Sequence, residues 1–199
     1  MAEPESTLAW RSRPERDDAE QHVLDAAGRC FARQGIRATS LSDIAREAGC
    51  SRPTVYRYFD GRDAVRAAFV RREARRIGAG LRERIDLSAP PATWVTDAVL
   101  GALHDVRSDA VLSAWFRADD VGSTLSLAMR PEMLTELAHV LVAPATDSAA
   151  PTDDPSAIRA DDLAEWVVRV ILSFLSSPAA DEATERRLVE RFLTPVLLR

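Results

Sequence analysis

Apolar residues recur every three or four positions along much of this chain, the spacing that places them on one face of an α-helix. The pattern is clear in the segment that opens near Ala19 and reaches Gly35. Its apolar positions are Val23, Ala26, Ala27, Cys30 and Phe31. Gly35 suits the end of such a helix, because glycine adopts the left-handed conformation of a helix C-terminus at little steric cost. The segment is therefore predicted to form one amphipathic helix.

Two short helices are predicted next, separated by a tight turn at Gly49. Ser40 precedes Asp43 by three residues, a spacing related to the capping box that begins many helices. Ser51 can cap the second short helix, and Pro53 falls in its first turn, where the missing N–H costs nothing. The predicted buried positions are Leu41, Ile44, Ala45, Ala48, Val55 and Phe59. Three helices in this order are typical of a helix-turn-helix.

The second short helix carries side chains that suit contact with DNA. Arginine binds guanine or phosphate, threonine offers a hydroxyl and a methyl group, and tyrosine hydroxyls reach phosphate oxygens. The residues concerned are Arg52, Thr54, Tyr56, Arg57 and Tyr58. The alternative is a solvated face on an ordinary surface helix. The capped turn and the two helices before it favour DNA binding.

This region resembles the DNA-binding domain of the TetR family of transcriptional regulators. The resemblance runs through "LDAAGRCFARQG", "TSLSDIAREAG" and "CSRPTVYRYFDGRDAV", between Ala19 and Val65. It implies a recognition helix at about Arg52–Tyr58. Cys50 replaces the usual valine-like residue but keeps a small buried side chain. Arg62 replaces the commoner lysine but keeps the positive charge.

The resemblance also implies which side chains meet DNA. Positions that meet base edges in the family correspond to Ser42, Arg52, Pro53, Thr54 and Arg57. Positions that usually hold the phosphates correspond to Thr39, Ser40, Tyr56, Tyr58 and Arg62. The partner implied is double-stranded operator DNA with a palindromic sequence.

The remainder of the chain is predicted to be helical, giving an all-α fold of about nine helices. The later helices are predicted at about Arg62–Asp86, Ala92–Arg107, Asp109–Arg117, Gly122–Val142, Asp161–Ser177 and Asp181–Leu198. Pro131 should kink or divide one of them, because proline cannot continue the hydrogen-bond ladder. Three prolines among Ser, Thr and Asp predict a loop over Ala143–Ala160. We expect a disordered arm at 1–18, the DNA-binding domain at 19–65, and an effector-binding and dimerisation domain at 66–199.

The last two helices are apolar on more than one side. A helix of this kind buries one side in its own core and another against a partner. In the TetR family the last two helices form a four-helix bundle with those of a second subunit, so the resemblance implies a homodimer. The expected interface residues are Trp166, Val167, Val170, Ile171, Phe174, Leu188, Phe192 and Val196. The alternative is an ordinary core helix in a monomer.

A scatter of large apolar residues with few polar ones marks the candidate ligand pocket. By resemblance, the helices that carry them enclose a cavity for a small, largely apolar effector, and apolar walls with few polar anchors are usual in such pockets. The candidate residues are Phe69, Trp94, His104, Trp115, Phe116, Met129, Met133 and Trp166. Ordinary core packing is the alternative for each of them.

Charge is divided unevenly along the chain. Residues 1–86 hold 17 arginines against 14 acidic residues, a net +3, and residues 87–199 hold 9 against 17, a net −8. The cations therefore accompany the helix-turn-helix. No apolar run is long enough for a membrane span, and the first 18 residues lack the apolar centre of a signal peptide, so a cytoplasmic protein is expected.

Other classes of function find little support in the sequence. There is no nucleophile–base arrangement and no phosphate-binding loop, so neither an enzyme nor a bound cofactor is expected. Glu136-x-x-His139 matches half of a di-iron motif, but the second half is missing and no metal is expected. The helix-turn-helix predicts a DNA-binding regulator. The resemblance implies that it is a repressor, the commoner outcome in this family, that a small, largely apolar ligand releases from its operator. A nonspecific DNA-binding protein and a ligand-independent regulator are the alternatives.

Overall fold

The computed structural model describes residues 16–86, 88–146 and 160–197. The helices of its first half are α1 Arg16–Gln34, α2 Leu41–Glu47, α3 Arg52–Tyr58, α4 Gly61–Arg84 and α5 Pro91–Ser108. The later helices are α6 Ala110–Ser113, α7 Val121–Ala128, α8 Pro131–Thr146, α9 Ala160–Ser176, α10 Glu182–Leu188 and α11 Thr194–Leu197. A 3₁₀ turn at Ala114–Phe116 follows α6, and π-helical turns at Val189–Leu193 join α10 to α11. The predicted all-α fold is confirmed.

Local sequence signals account for most helix boundaries. Gly35 has a φ of +84° and Gly49 a φ of +66°, so both occupy the left-handed region that glycine favours. Pro131 divides the predicted long helix, since α7 ends at Ala128 and α8 begins at Pro131. Asp181 caps α10 by accepting a hydrogen bond from the Thr184 N–H at 2.7 Å.

Several boundaries differ from the predictions. The predicted helix Asp109–Arg117 is divided into α6 and a 3₁₀ turn, and the predicted helix Asp181–Leu198 is divided by the π-helical turns. The loop expected from Ala143 begins later, because α8 continues to Thr146. The rest of that predicted loop lies outside the described residues, up to Ala160 at the start of α9. The expected arm also ends earlier, because Arg16–Asp18 already belong to α1, and residues 1–15 lie outside the described residues.

The chain divides into two compact units. The first comprises residues 1–70 and 110–123, and the second comprises residues 71–109 and 124–199. The helix α4 begins in the first unit and ends in the second. The functional boundary expected at Val65 stays a prediction, because compactness does not report which residues bind DNA or an effector.

The first unit is built on α1. This helix packs against α2 and α6, and α2 in turn contacts α3. Val23, Cys30, Ile44, Val55 and Val65 are completely buried, so the apolar stripe that the spacing predicted forms the core. Burying a side chain of this size contributes about 1.5–3 kcal/mol relative to its exposed state.

The second unit is built on α9, which packs along α8 and also contacts α5. Leu103, Leu134, Val168 and Val189 supply buried apolar side chains from four successive parts of this unit. A bidentate ion pair between Arg107 and Glu185 joins α5 to α10, with both N···O distances at 2.7 Å. Within the described residues, no helix is long and apolar enough to cross a membrane.

Candidate nucleic-acid interface

The α3 helix is held at its start by a local cap. The Ser51 hydroxyl accepts a hydrogen bond from the Thr54 N–H at 3.3 Å and lies 2.8 Å from the Thr54 hydroxyl. Val55 is fully buried and anchors the inner face of the helix. Arg52 and Pro53 are exposed on the outer face. Capping and the buried valine thus set which side of α3 is available to a partner.

Two arginine–tyrosine pairs occupy the outer part of α3. Arg52 Nη2 donates to the Tyr56 hydroxyl at 3.0 Å, and its guanidinium lies 5.4 Å from the ring centre. Arg57 Nη2 donates to the Tyr58 hydroxyl at 2.6 Å, with its guanidinium 4.8 Å from that ring. Stacking restricts the motion of a flexible arginine. The four side chains present hydroxyl and guanidinium donors of the kind that bind bases and phosphates.

The start of α2 is fixed by a complete capping box. Ser40 Oγ accepts from the Asp43 N–H at 3.2 Å, and Asp43 Oδ2 accepts from the Ser40 N–H at 3.0 Å. The Ser40 hydroxyl, which also donates to Asp43, holds the pKa of that carboxyl below its usual range. Ser42, the second residue of α2, is exposed. These contacts fix the backbone at the start of α2, and a phosphate contact by Ser40 stays a prediction.

An ion-pair cluster fastens α2 to α1. Glu47, at the end of α2, accepts from Arg29 Nε at 2.7 Å and from Arg33 Nη2 at 3.0 Å. The hydrogen bond from Arg29 is the main cause of a lowered Glu47 pKa. Sequence reasoning missed this cluster, although the spacing of Arg29 and Arg33 by four residues places them on one helix face.

Two predicted phosphate contacts differ in accessibility. Arg62 is exposed, and its Nη1 donates to the carbonyl oxygen of Arg37 at 3.2 Å. Thr39 is completely buried, and its hydroxyl donates to the Gly35 carbonyl at 2.7 Å. A phosphate contact by the Thr39 side chain stays a prediction, and it requires that this internal hydrogen bond be replaced.

The predicted pocket residues fall in both units. In the first unit, Phe69 and Trp115 are buried and stack with ring centres 5.6 Å apart. Phe31 meets both edge-on, at 5.3 Å from Phe69 and 5.2 Å from Trp115. Such packing is typical of an aromatic core. Phe116, also in this unit, is half-buried.

The other pocket candidates belong to the second unit. Met133 is buried, Trp94 is half-buried, and His104 is exposed. Met129 and Trp166 keep 40% and 50% of their surface exposed, so neither lies in an enclosed cavity of the isolated chain. The assignment of these residues to a ligand pocket stays a prediction.

The predicted dimer residues separate into inward and outward sets. Val167 and Ile171 are buried within their own unit. Trp166, Leu188 and Phe192 remain 50%, 37% and 63% exposed, although they are large apolar side chains. The remaining three are half-buried: Val170, Phe174 and Val196. The outward set leaves an apolar surface on α9, α10 and the π-helical turns.

Comparison with known proteins identifies the chain's family. Residues 23–69 match the family described as bacterial regulatory proteins, tetR family. The uncharacterized HTH-type transcriptional regulator MT1294 of Mycobacterium tuberculosis is 36% identical over 188 residues, covering 94% of this chain and 90% of that protein. The chain belongs to the TetR family. This TetR-family protein is a DNA-binding transcriptional regulator.

Solved structures share its fold. The TetR family repressor AlkX of Dietzia sp. strain DQ12-45-1b, implicated in biodegradation of n-alkanes, aligns with a TM-score of 0.68 at 21% identity, over 90% of this chain and 95% of that one. FadR of Bacillus subtilis, in complex with stearoyl-CoA, aligns with a TM-score of 0.57 at 15% identity, over 89% and 96%. At these identities the likeness concerns the fold of the TetR-family regulator alone.

The described part of the regulator contains no group of three or more His, Cys, Asp or Glu side chains that could hold a metal ion. Cys30 is buried and Cys50 half-buried, and burial raises the pKa of both thiols. A raised pKa disfavours the reactive thiolate. The burial of Cys30 and Cys50 in the first unit is that of small packing residues.

Proposed function

We propose that this regulator is a homodimeric repressor that occupies a palindromic operator with one α3 helix in each of two successive major grooves. The observation that carries the proposal is the exposed face of α3, where Arg52 and Arg57 stand beside Tyr56 and Tyr58. Guanidinium groups read guanine edges in the major groove, and tyrosine hydroxyls hold phosphates. A two-fold operator requires a two-fold protein.

Specificity and affinity are assigned to different side chains. Ser42, Arg52, Pro53, Thr54 and Arg57 meet base edges in this proposal. The phosphates are held by a second set that sets the register of the protein on the duplex: Thr39, Ser40, Tyr56, Tyr58 and Arg62. Both sets derive from the family resemblance, and the exposure of Ser42, Arg57 and Arg62 supports their assignment.

Dimerisation is proposed through α9 and the helical segment from α10 to α11. Exposed Trp166, Leu188 and Phe192 support this surface, because burying large apolar side chains drives association. The buried side chains of Val167 and Ile171 pack α9 into its own unit, which leaves the exposed side chains for the partner. Since two recognition helices must enter grooves about one helical turn apart, the dimer sets their spacing.

Release by a small, largely apolar ligand completes the proposal. A ligand releases DNA only if it binds better to the conformation whose recognition helices are wrongly spaced. Support comes from AlkX, implicated in n-alkane biodegradation, and from FadR in complex with stearoyl-CoA, which share the fold. Within the second unit, Trp94 and Met133 are the inward-placed candidates for the ligand-contacting surface.

Footprinting on the DNA upstream of the protein's own gene tests this function. The experiment compares wild type, Arg57→Ala and the control Arg186→Ala at fixed physiological salt with scrambled competitor DNA. We expect a protected palindrome for wild type and the control, and a relaxed sequence preference for Arg57→Ala. Arg186 is a fair control because it pairs with Asp97 in the second unit, at 3.3 Å. Equal protection of operator and scrambled DNA by wild type would contradict the proposal.

A further inference from the structure

The turn between α1 and α2 is held by a carboxylate that lies 83 residues away in sequence. Asp120 Oδ1 accepts a hydrogen bond from the backbone N–H of Arg37 at 2.9 Å. Both residues belong to the first compact unit. Asp120 is only 5% exposed. A buried carboxylate is costly unless hydrogen bonds or cations compensate it, so this contact is a specific feature of the fold.

Gly35 shows how closely the turn fits around Asp120. Its φ of +84° is a conformation that other residues rarely adopt. A Cβ built on Gly35 would lie 2.7 Å from Asp120 Oδ2, too close for any carbon–oxygen contact. The absence of a side chain at Gly35 therefore lets the carboxylate approach the backbone of the turn.

Two arginines of α4 donate hydrogen bonds to carbonyl groups of the same turn. Arg66 Nη2 donates to the Ile36 carbonyl at 2.6 Å, and Arg62 Nη1 donates to the Arg37 carbonyl at 3.2 Å. Arg66 is 9% exposed, and burial lowers the pKa of its guanidinium, while the charge of Asp120 acts in the opposite direction. Three successive backbone groups of the turn are therefore hydrogen-bonded to side chains. Arg66 donates to the Ile36 carbonyl, Asp120 accepts from the Arg37 N–H, and Arg62 donates to the Arg37 carbonyl.

The turn leads directly into the DNA-binding surface. Thr39 closes it by donating its hydroxyl to the Gly35 carbonyl at 2.7 Å, and Ser40 caps α2. Arg62 reaches from α4 to the same turn and is assigned to a phosphate. A displacement of Arg37 would therefore move both the start of α2 and the carbonyl that orients the Arg62 guanidinium.

We propose that Asp120 is a positioning residue for operator binding, which fixes the α1–α2 turn so that the start of α2 and Arg62 are aligned with the phosphates. This inference rests on the proposed operator function of the regulator. Asp120 acts through the backbone of Arg37 and does not itself touch DNA. The segment just before α7 thereby forms a functional part of the DNA-binding unit.

The test compares Asp120→Ala and Asp120→Asn with Asp119→Asn, a neighbouring exposed carboxylate with the same charge change as the asparagine variant. Operator and scrambled-DNA affinities are measured by fluorescence anisotropy, with melting temperature as a check on folding. We expect Asp120→Ala to weaken operator binding about tenfold and Asp120→Asn about threefold, since asparagine keeps an uncharged acceptor for the Arg37 N–H. Asp119→Asn should stay within about twofold of wild type.

Hydrogen–deuterium exchange separates positioning from general destabilisation. In the Asp120 variants, exchange should accelerate at Arg37 and over residues 39–43, with the second unit unchanged. Uniform acceleration in both units would overturn the inference. The inference would also be overturned if Asp120→Asn bound the operator as tightly as Asp119→Asn. If Asp120→Ala fails to fold, the comparison of these two asparagine variants decides the question. If wild type itself shows no preferred site, the operator function fails instead.

Discussion

Arg52 donates a hydrogen bond from Nη2 to the hydroxyl of Tyr56 at 3.0 Å while its guanidinium lies over the tyrosine ring. A residue assigned to base edges is thus partnered with one assigned to phosphates. Ordering a flexible arginine before binding lowers the entropy cost of the complex. The pair therefore places a guanidinium group and a phenol hydroxyl side by side on the exposed face of α3.

Tyr56→Phe should weaken binding to every DNA sequence by a similar factor, about fivefold. The variant loses one hydroxyl hydrogen bond to a phosphate but no contact to a base. Anisotropy titrations on operator and scrambled duplexes check this. A double-mutant cycle with Arg52→Ala should be non-additive, since the two side chains contact each other. Strict additivity would mean that the contact has no part in binding.

Arg57→Ala or Thr54→Ala should relax sequence preference by about 1–3 kcal/mol of discrimination, as expected for a lost base contact. Arg62→Ala should instead weaken all sites and reduce the slope of log affinity against log salt by about one. Binding measured at several salt concentrations on operator and mismatched sites separates the two effects. The same loss of specificity in all these variants would contradict the division of roles.

Phe192→Glu should convert the proposed dimer to monomers, because a charge replaces a large apolar side chain that is 63% exposed. Sedimentation velocity reports the change, while circular dichroism should show unchanged helix content. Glu182→Gln, at the exposed first residue of α10, is the control and should leave the proposed dimer intact. A Phe192→Glu variant that remains dimeric would place the interface elsewhere.

Arg107→Ala should destabilise the second unit by about 3 kcal/mol, because it leaves the buried carboxylate of Glu185 without its cation. Glu185 is 2% exposed, and the remaining hydrogen bond from the Ala179 N–H is long, at 3.2 Å. Arg186→Ala removes an exposed pair and should cost about 1 kcal/mol at most. Urea unfolding gives the free energy of unfolding of both variants. Equal losses would show that burial of the Arg107–Glu185 pair does not increase its contribution to stability.

The same ion pair predicts a pH dependence of stability. The hydrogen bonds from Arg107, and the smaller contribution of the Ala179 N–H, hold the pKa of Glu185 below its usual range. A folded-state pKa below the unfolded one contributes stability that is present above the unfolded value and lost as pH falls through the folded value. Wild type should therefore lose stability on acidification more steeply than Arg107→Ala. Parallel acid titrations of the two proteins would contradict this.

Local patterns predicted the helix-turn-helix well, because each signal acts within a few residues. The Ser40–Asp43 box, the Ser51 cap and the glycines at 35 and 49 act through neighbouring backbone groups. Apolar spacing also predicted the buried face of α1, since a helix places every third or fourth residue on one side. These features need no knowledge of distant parts of the chain.

Contacts between distant residues were decided by the tertiary structure. No spacing rule brings Asp120 to Arg37 or Trp115 to Phe31, because the positions that meet depend on how helices pack. Apolar composition on α4 and near α6 is compatible with a ligand pocket but is more often the mark of ordinary core packing. The tertiary packing of α1 against α6 and the following 3₁₀ turn, which carries Trp115, placed Phe31 beside Trp115 and beside Phe69 of α4 in one aromatic core. Helix identity follows from local backbone chemistry, whereas the neighbours of a side chain follow from the assembled fold.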